Sequence, residues 1–310
     1  MSDVQTAQTA PTAEDRALGP RHRVVEDRPF GAHMRTRWWA PLAVLPILGI
    51  LMLGLQLIVL VVVGVLEWWL WDRDPLAMEI SPLLMLGLNL SLIAMAPLSL
   101  LALRWIAGVP WRAAFSVGRA FSWRRLGLDC VMLGSVILVV FAVYTAVDGM
   151  PPVTIGATAI ALAAMALLLT PLQAAAEEVM FRGVIGPLVG SWLSQPGLAL
   201  AVGITVSSLF FGVSHGATDP WLAVYYVVFG LCAALMAVIS RGLEAPIAFH
   251  VMNNVILMLF ASVTTGDQGL DLDRTSGAGG PFILVFIALD IVLVGVVWAL
   301  ERRRRASGGK

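Results

Sequence analysis

The sequence has few charged residues. Aspartate, glutamate, lysine and arginine make up 13% of its 310 residues, whereas 59% are hydrophobic, and the mean hydropathy is +0.86. Water-soluble globular proteins do not have this composition, so a membrane class is indicated. The formal net charge is zero and therefore points to no class of charged partner.

Cysteine and several common motifs are also rare or missing. Cys130 and Cys232 both lie in apolar runs, which argues against a disulfide or a cysteine-based metal cluster. There is no phosphate loop, no dinucleotide fingerprint and no HExxH segment. We therefore expect neither nucleotide nor nucleic acid as a partner, and no zincin-type metal site. An early apolar run, as in a secretory signal peptide, is missing too.

What the sequence does have is long apolar runs. Spanning a bilayer takes about 20 apolar residues in a helix. Eight runs meet or approach this length, at 40–66, 82–103, 126–146, 155–174, 198–213, 221–240, 245–263 and 281–300. The fold class predicted is an all-α polytopic membrane protein of about eight transmembrane helices.

The loops between these runs alternate in charge. Arginines precede the first run, lie between the second and third, and follow the eighth as ERRRR, whereas the other loops are acidic or neutral. The positive-inside rule then places both termini in the cytoplasm.

The apolar runs and the charges of the loops divide the chain into three segments. Residues 1–37 are polar and predict a disordered cytoplasmic tail, in which His22 and His33 would be solvated. Residues 38–300 form the transmembrane bundle, and 301–310 form a basic cytoplasmic tail.

The segment AAAEEVMFRG places charges in this apolar chain. Glu178 and Arg182 are four residues apart, so they share a helix face and can form an ion pair. Glu177 points away from Arg182 and is left without a partner in its own helix. An unpaired carboxylate in an apolar setting is a candidate general base. The alternative is that both glutamates lie in water at the end of the fourth span.

Two further segments carry histidine. In LFFGVSHGA, His215 follows Phe211 by four residues, so the phenyl ring can orient the imidazole. In PIAFHVMNNVIL, His250 and Asn254 share a helix face and can present two donors to one oxyanion, while Asn253 points elsewhere. Structural hydrogen bonding is the alternative for each histidine.

Together these residues can activate a water and stabilise a tetrahedral intermediate. They are also ligand types for zinc.

EEVMFR, FGVSH and HVMNN resemble the EExxxR, FxxxH and HxxxN/D signatures of the CPBP family, which includes type II CAAX prenyl endopeptidases and bacterial Abi-type proteins. The matching residues are Glu177, Glu178, Arg182, Phe211, His215, His250 and Asn254. The resemblance covers about residues 155–262.

The resemblance implies helices around a cavity that faces the cytoplasm, in a bacterial plasma membrane. It implies that Glu177 with His215 activates a water, and that His250 with Asn254 forms the oxyanion hole. Glu178, Arg182 and Phe211 would support them. The substrate would be a peptide or protein at the lipid bilayer, cleaved in a CAAX-like or peptide-precursor reaction.

The cofactor stays open at this point. Either none is used, with a glutamate mechanism, or a divalent metal such as zinc is held by Glu177, His215 and His250. Two other functions also remain open: a proton-coupled transporter, in which buried carboxylates form a relay, and a non-catalytic scaffold or immunity protein. Clustered carboxylates favour hydrolysis over a relay.

Two features stand apart from the motifs. Straight alternating spans would place His215 near the outer membrane surface and Glu177 and His250 nearer the cytoplasm, so breaks at residues such as Pro171 are needed for them to meet. Asp290 lies mid-way along the eighth run, in FIALDIVLV. We expect it to face the bundle interior as a supporting residue, with Arg182 or a histidine as partner, or to be a neutral acid bonded to backbone.

Overall fold

The protein is described by a computed structural model that covers residues 23–74, 79–264, 270–271 and 273–308. Helices make up nearly all of it. In chain order they are α1 (Ala40–Trp71), α2 (Pro82–Trp105), a 3₁₀ turn (Trp111–Ala114), α3 (Trp123–Asp148), α4 (Ala157–Leu168), α5 (Thr170–Glu178), a π-helix (Val179–Ile185), α6 (Gly186–Gly190), α7 (Pro196–Ser214), α8 (Pro220–Ser240), α9 (Glu244–Thr264) and α10 (Ile283–Gly308).

The predicted fold class is confirmed. Within the described residues, seven helices are long and apolar enough to cross a membrane. An eighth span is formed if the bent pair Ala157–Leu168 and Thr170–Gly190 counts as one. Most of the bundle surface in these helices is apolar, as a lipid environment requires.

The bent pair differs from the fourth run predicted at 155–174. Its two halves meet at an angle of 40° near Leu169, and Pro171 lies in the first turn of α5. Proline has no amide N–H to donate, so the helical hydrogen-bond ladder is interrupted at this point. The second half continues to Gly190 and is almost wholly buried. Glu177 and Glu178 therefore lie inside the bundle and not in water at its edge.

Small residues let this second half pack closely against α7. A Cβ atom added at Gly203 would lie 2.6 Å from the carbonyl oxygen of Gly186, closer than side chains approach. Glycine at both positions brings the two backbones together, as is common between membrane helices.

Four short strands close the two ends of the bundle. β1 (Arg23–Val24) pairs antiparallel with β2 (Met34–Arg35) ahead of α1. At the opposite end, β3 (Glu79–Ile80) pairs antiparallel with β4 (Leu270–Asp271) and links the α1–α2 and α9–α10 connections.

The prediction of a disordered tail is wrong for residues 23–37, and His33 is not solvated. His33 is fully buried; its Nε2 donates to the carbonyl oxygen of Ala113 at 2.9 Å, and its Nδ1 accepts from Gly31 N at 3.1 Å. Burial lowers the pKa of His33 from 6.5 to about 4, although the bond to Ala113 opposes this. His22 and residues 1–22 lie outside the described part of the chain.

Candidate active site

The buried second half of the bent span carries the first motif. Glu178 Oε1 accepts a hydrogen bond from Arg182 Nη1 at 2.9 Å, so the predicted ion pair is present, with both side chains buried. Arg182 also donates from Nη2 to the Gly230 carbonyl oxygen at 3.0 Å, and its guanidinium lies 4.4 Å from the centre of the Phe211 ring. These contacts tie α5 and the π-helix to α7 and α8.

Glu178 also contacts the third motif. The same oxygen accepts a second hydrogen bond, from His250 Nδ1 at 2.8 Å. His250 is 2% exposed, and the rings of Phe229 and Phe211 pack edge-on against it at 5.0 and 5.6 Å. The imidazole is thus held in one orientation.

Glu177 has different surroundings. Its Oε1 accepts a short hydrogen bond from Gln173 Nε2, one turn earlier in α5. The expectation that Glu177 has no partner in its own helix is therefore wrong. Its Oε2 has no hydrogen-bond partner in the described part of the chain and lies 3.9 Å from His250 Nε2. Glu177 thus has one buried carboxylate oxygen that accepts no hydrogen bond from the described residues.

The charges of this cluster balance only with one added proton. Glu177 and Glu178 would contribute two negative charges and Arg182 one positive charge, all in the buried interior. An uncompensated charge in such a place is costly. One added proton therefore makes the cluster neutral.

His215 ends α7 and belongs to the same site. Its Nδ1 donates to the Phe211 carbonyl oxygen at 2.8 Å, so Nε2 of the neutral ring is an acceptor. The ring lies 4.5 Å from the Phe211 ring, as predicted, and stacks on Tyr226 at 4.1 Å. Arg274 Nη1 donates to the His215 carbonyl oxygen at 2.7 Å.

One cavity joins parts of all three motifs. It has a volume of about 280 Å³, and its lining includes Gln173, Glu177, His215, Tyr226, Asn254 and Arg274. The bend after α4 places Glu177 beside the end of α7, which resolves the conflict in depth that straight spans create. His250 lies next to Glu177, with 3.9 Å between its Nε2 and Glu177 Oε2, but it does not line the cavity itself.

The two asparagines of α9 both line this cavity, so the expectation that Asn253 points elsewhere is wrong. Asn253 Nδ2 donates to Asn254 Oδ1 at 3.1 Å. The carbonyl oxygen of the Asn254 amide is thereby held, and its NH₂ group is left to donate to a ligand. His250 and Asn254 are four residues apart and share a helix face. Of the two, only Asn254 lines the cavity.

A metal ion does not fit the groups that the structure describes. Among the described residues, no three histidine, cysteine, aspartate or glutamate side chains are arranged to hold one. Glu177, His215 and His250, the set considered for zinc, are not assembled as a ligand group.

Asp290 lies in the interior, as expected, and is 1% exposed. Its Oδ2 has no hydrogen-bond partner in the described residues. The expected pairing with Arg182 or a histidine is not found there, since the Arg182 bonds go to Glu178 and Gly230.

Sequence reasoning missed three contributors to the site. Gln173 could have been found, because it precedes Glu177 by four residues and therefore shares its helix face. Tyr226 and Arg274 gave no signal, because their contacts with His215 depend on how α8 and the loop before α10 fold back over the end of α7.

The comparisons with known proteins agree with the motifs. Residues 156–256 match the family model described as type II CAAX prenyl endopeptidase Rce1-like, and this range contains all three motifs. The chain is also similar to the uncharacterized protein YyaK of Bacillus subtilis (strain 168), with 26% identity over 223 residues that cover 67% of this chain and 73% of YyaK. No solved structure matches. The resemblance predicted from the sequence is confirmed, and the family supports a CAAX-type membrane peptidase.

Proposed function

We propose that this chain, whose residues 156–256 are Rce1-like, is an intramembrane endopeptidase that hydrolyses a peptide bond with Glu177 as the general base. The observation that carries the proposal is the cavity that Glu177 lines, because His215 from α7 and Asn254 from α9 line it as well, whereas Glu178 does not.

The first step is activation of a water. Glu177 Oε2 and the unprotonated His215 Nε2 are both acceptors at the cavity wall, so a water can donate one hydrogen bond to each. Glu177 takes a proton from this water as its oxygen attacks the carbonyl carbon of the substrate. The bond from Gln173 to Oε1 orients the carboxylate so that Oε2 is the oxygen that reacts.

The second step is stabilisation of the oxyanion. The Asn254 NH₂ group is available because its amide oxygen is held by Asn253. His250 lies outside the cavity wall; its Nδ1–H is bound to Glu178 and its Nε2 lies 3.9 Å from Glu177 Oε2, so it supports the two carboxylates. Donors fixed in a buried site stabilise developing negative charge strongly.

The third step is cleavage. The proton held by Glu177 passes to the amide nitrogen as the C–N bond breaks, which gives an amine and a carboxylic acid. The acid then loses its proton, and Glu177 is again a carboxylate. Every proton and bond is accounted for with protein groups and one water.

The test is a peptide-cleavage assay on purified protein in detergent, with a metal chelator present or absent. Wild type should cleave equally in both conditions, and Glu177→Ala should not cleave. Cleavage that the chelator stops and zinc restores would replace the glutamate mechanism with a metal one. Equal cleavage by wild type and Glu177→Ala would overturn the proposal altogether.

A further inference from the structure

The two ends of the bundle carry opposite charge. We call one end the arginine-rich face; it holds the segment before α1, the α2–α3 and α8–α9 connections and the end of α10. Among the described residues its arginines are Arg23, Arg28, Arg35, Arg37, Arg104, Arg112, Arg119, Arg124, Arg125, Arg241 and Arg302 to Arg305. The other end is the acidic face. In the described part of the chain its arginines are Arg73 and Arg274, and its acidic residues are Glu67, Asp72, Asp74, Glu79, Asp148, Asp219, Asp271 and Asp273.

The cavity that contains Glu177 lies in the half of the bundle nearest the acidic face. His215 follows the last turn of α7, and Tyr226 is in the second turn of α8, both at that end. Ile80 of β3, Leu270 of β4 and Arg274 also line the cavity. The β3–β4 pair therefore forms part of the cavity wall at the acidic face.

The arginine-rich face is closed beneath the site. Phe30 and His33 are buried there, and His33 is bonded to the 3₁₀ turn through Ala113. Arg35 of the same segment donates to the Leu193 carbonyl oxygen at 2.7 Å and holds the segment against the end of α6. The cavity between this segment and Arg182 has a volume of only about 20 Å³, little more than room for one water.

A second and larger cavity lies in the same half. It has a volume of about 770 Å³, lies between α3, α9 and α10, and is lined by aromatic residues such as Phe141, Phe260 and Phe286. It adjoins the first cavity, because Tyr225, Tyr226, Asn253, Leu257 and Arg274 line both. At the arginine-rich face, by contrast, ion pairs Arg125–Glu301 and Asp129–Arg304 hold α3 against α10.

From these observations we infer that the site opens away from the cytoplasm. The positive-inside rule places the arginine-rich face in the cytoplasm, and the cavities lie at the opposite end. The substrate is then a polypeptide whose scissile bond lies in the outer half of the membrane or beyond it, next to an apolar segment that fits the larger cavity. This inference rests on the proposed function, and it replaces the expectation of a cavity that faces the cytoplasm.

Sided thiol labelling tests the inference without any need for proteolysis. In a background with Cys130→Ser and Cys232→Ala, three single cysteines are introduced. The three substitutions are Ser276→Cys, Ser214→Cys and Ala306→Cys. Ser276 is exposed on the acidic face, Ser214 is in the cavity wall, and Ala306 is exposed at the arginine-rich end of α10. The probe is a membrane-impermeant methanethiosulfonate reagent applied to intact and to permeabilised cells, with the thermal melt of each variant as the folding control.

Ser276→Cys and Ser214→Cys should react in intact cells, and Ala306→Cys only after permeabilisation. Reaction of either acidic-face variant only after permeabilisation would overturn the inference. So would a Ser214→Cys that fails to react in intact cells while Ser276→Cys reacts, since the cavity would not be reached from that side.

A second assay separates failure of this inference from failure of the proposed function. A membrane-anchored reporter is added to proteoliposomes in which the protein has one orientation, with its scissile segment on the acidic face or on the arginine-rich face. Cleavage only on the acidic face is expected. Cleavage in detergent but only on the arginine-rich face would refute the sidedness alone, whereas no cleavage in any arrangement would refute the peptidase.

Discussion

His250 Nδ1 donates a hydrogen bond to Glu178 Oε1 at 2.8 Å, which joins the first and third motifs across 72 residues of chain. On its other side, His250 Nε2 lies 3.9 Å from Glu177 Oε2. One imidazole therefore contacts two adjacent carboxylates in different ways. Glu178 is fully enclosed and has two charged or polar partners, whereas Glu177 reaches the cavity. We assign the structural role to Glu178 and the chemical role to Glu177.

Removal of one partner from the buried ion pair should destabilise the protein. Arg182→Ala leaves Glu178 without its guanidinium, at a cost of about 3 to 5 kcal/mol for a buried pair. Glu178→Gln removes the charge that Arg182 and His250 share, and should also lower the thermal melting temperature in detergent. The partly exposed pair of Arg73 with Glu67, at 4.0 Å, is the control. Arg73→Ala should cost less than about 1 kcal/mol, and an equal loss in Arg73→Ala and Arg182→Ala would contradict the assignment.

Loss of the oxyanion donor should affect turnover and not substrate binding. Asn254→Ala should lower kcat by about 10²- to 10³-fold, the usual result of losing one such donor, while KM changes much less. Asn253→Ala is the control, since it lines the same cavity but only holds the Asn254 oxygen. Its effect should be below about tenfold. An effect of Asn254→Ala on KM alone would make that residue a substrate-binding group.

Acid should destabilise the protein through His33. Its pKa is about 4 in the folded protein and 6.5 when unfolded, so protonation favours the unfolded chain. The stability is complete above pH 6.5, falls as the pH decreases towards 4, and levels off below that, with a total loss on the order of 3 kcal/mol at most. The measurement is the melting temperature against pH for wild type and His33→Gln. The variant should lose less stability over this interval, and parallel curves would show that His33 does not contribute.

A change in the shape of the Asp290 side chain should lower the stability of the protein more than the removal of its charge. Asp290→Asn keeps the size of the side chain and removes a charge whose Oδ2 has no partner in the described residues, so stability should be retained. Asp290→Leu places a larger branched side chain in a buried position, which should cost about 1 to 3 kcal/mol. Full stability and activity of the Leu variant would contradict the close interior packing of this residue.

Several features of the site could be predicted from local geometry. The Glu178–Arg182 pair and the packing of Phe211 on His215 both follow from the rule that residues four apart share a helix face. The same rule would have found Gln173. The apolar runs gave the membrane class and the span count because a helix that crosses lipid must be long and apolar.

Contacts between distant segments were not accessible in this way. The position of Glu177 depends on a 40° bend after α4 and on the π-helix that follows α5, neither of which hydropathy reveals. His33 was misjudged because the segment 1–37 as a whole is polar and has no long apolar run, whereas its burial comes from β1–β2 and the distant Ala113. The sequence also did not reveal at which end of the bundle the cavity lies, because this depends on which loops meet there in the folded protein.

The most direct test of the central claim compares Glu177→Gln with Glu178→Gln. Both are purified, quantified as folded protein by their thermal melts, and assayed for cleavage of one membrane-anchored reporter peptide in single turnover. Glu177→Gln should fold like wild type, because the amide still bonds to Gln173, and should lose at least about 10²-fold in rate. Glu178→Gln should melt earlier and keep more activity per folded molecule. A Glu177→Gln variant that cleaves within tenfold of wild type would contradict the assignment of Glu177 as the base.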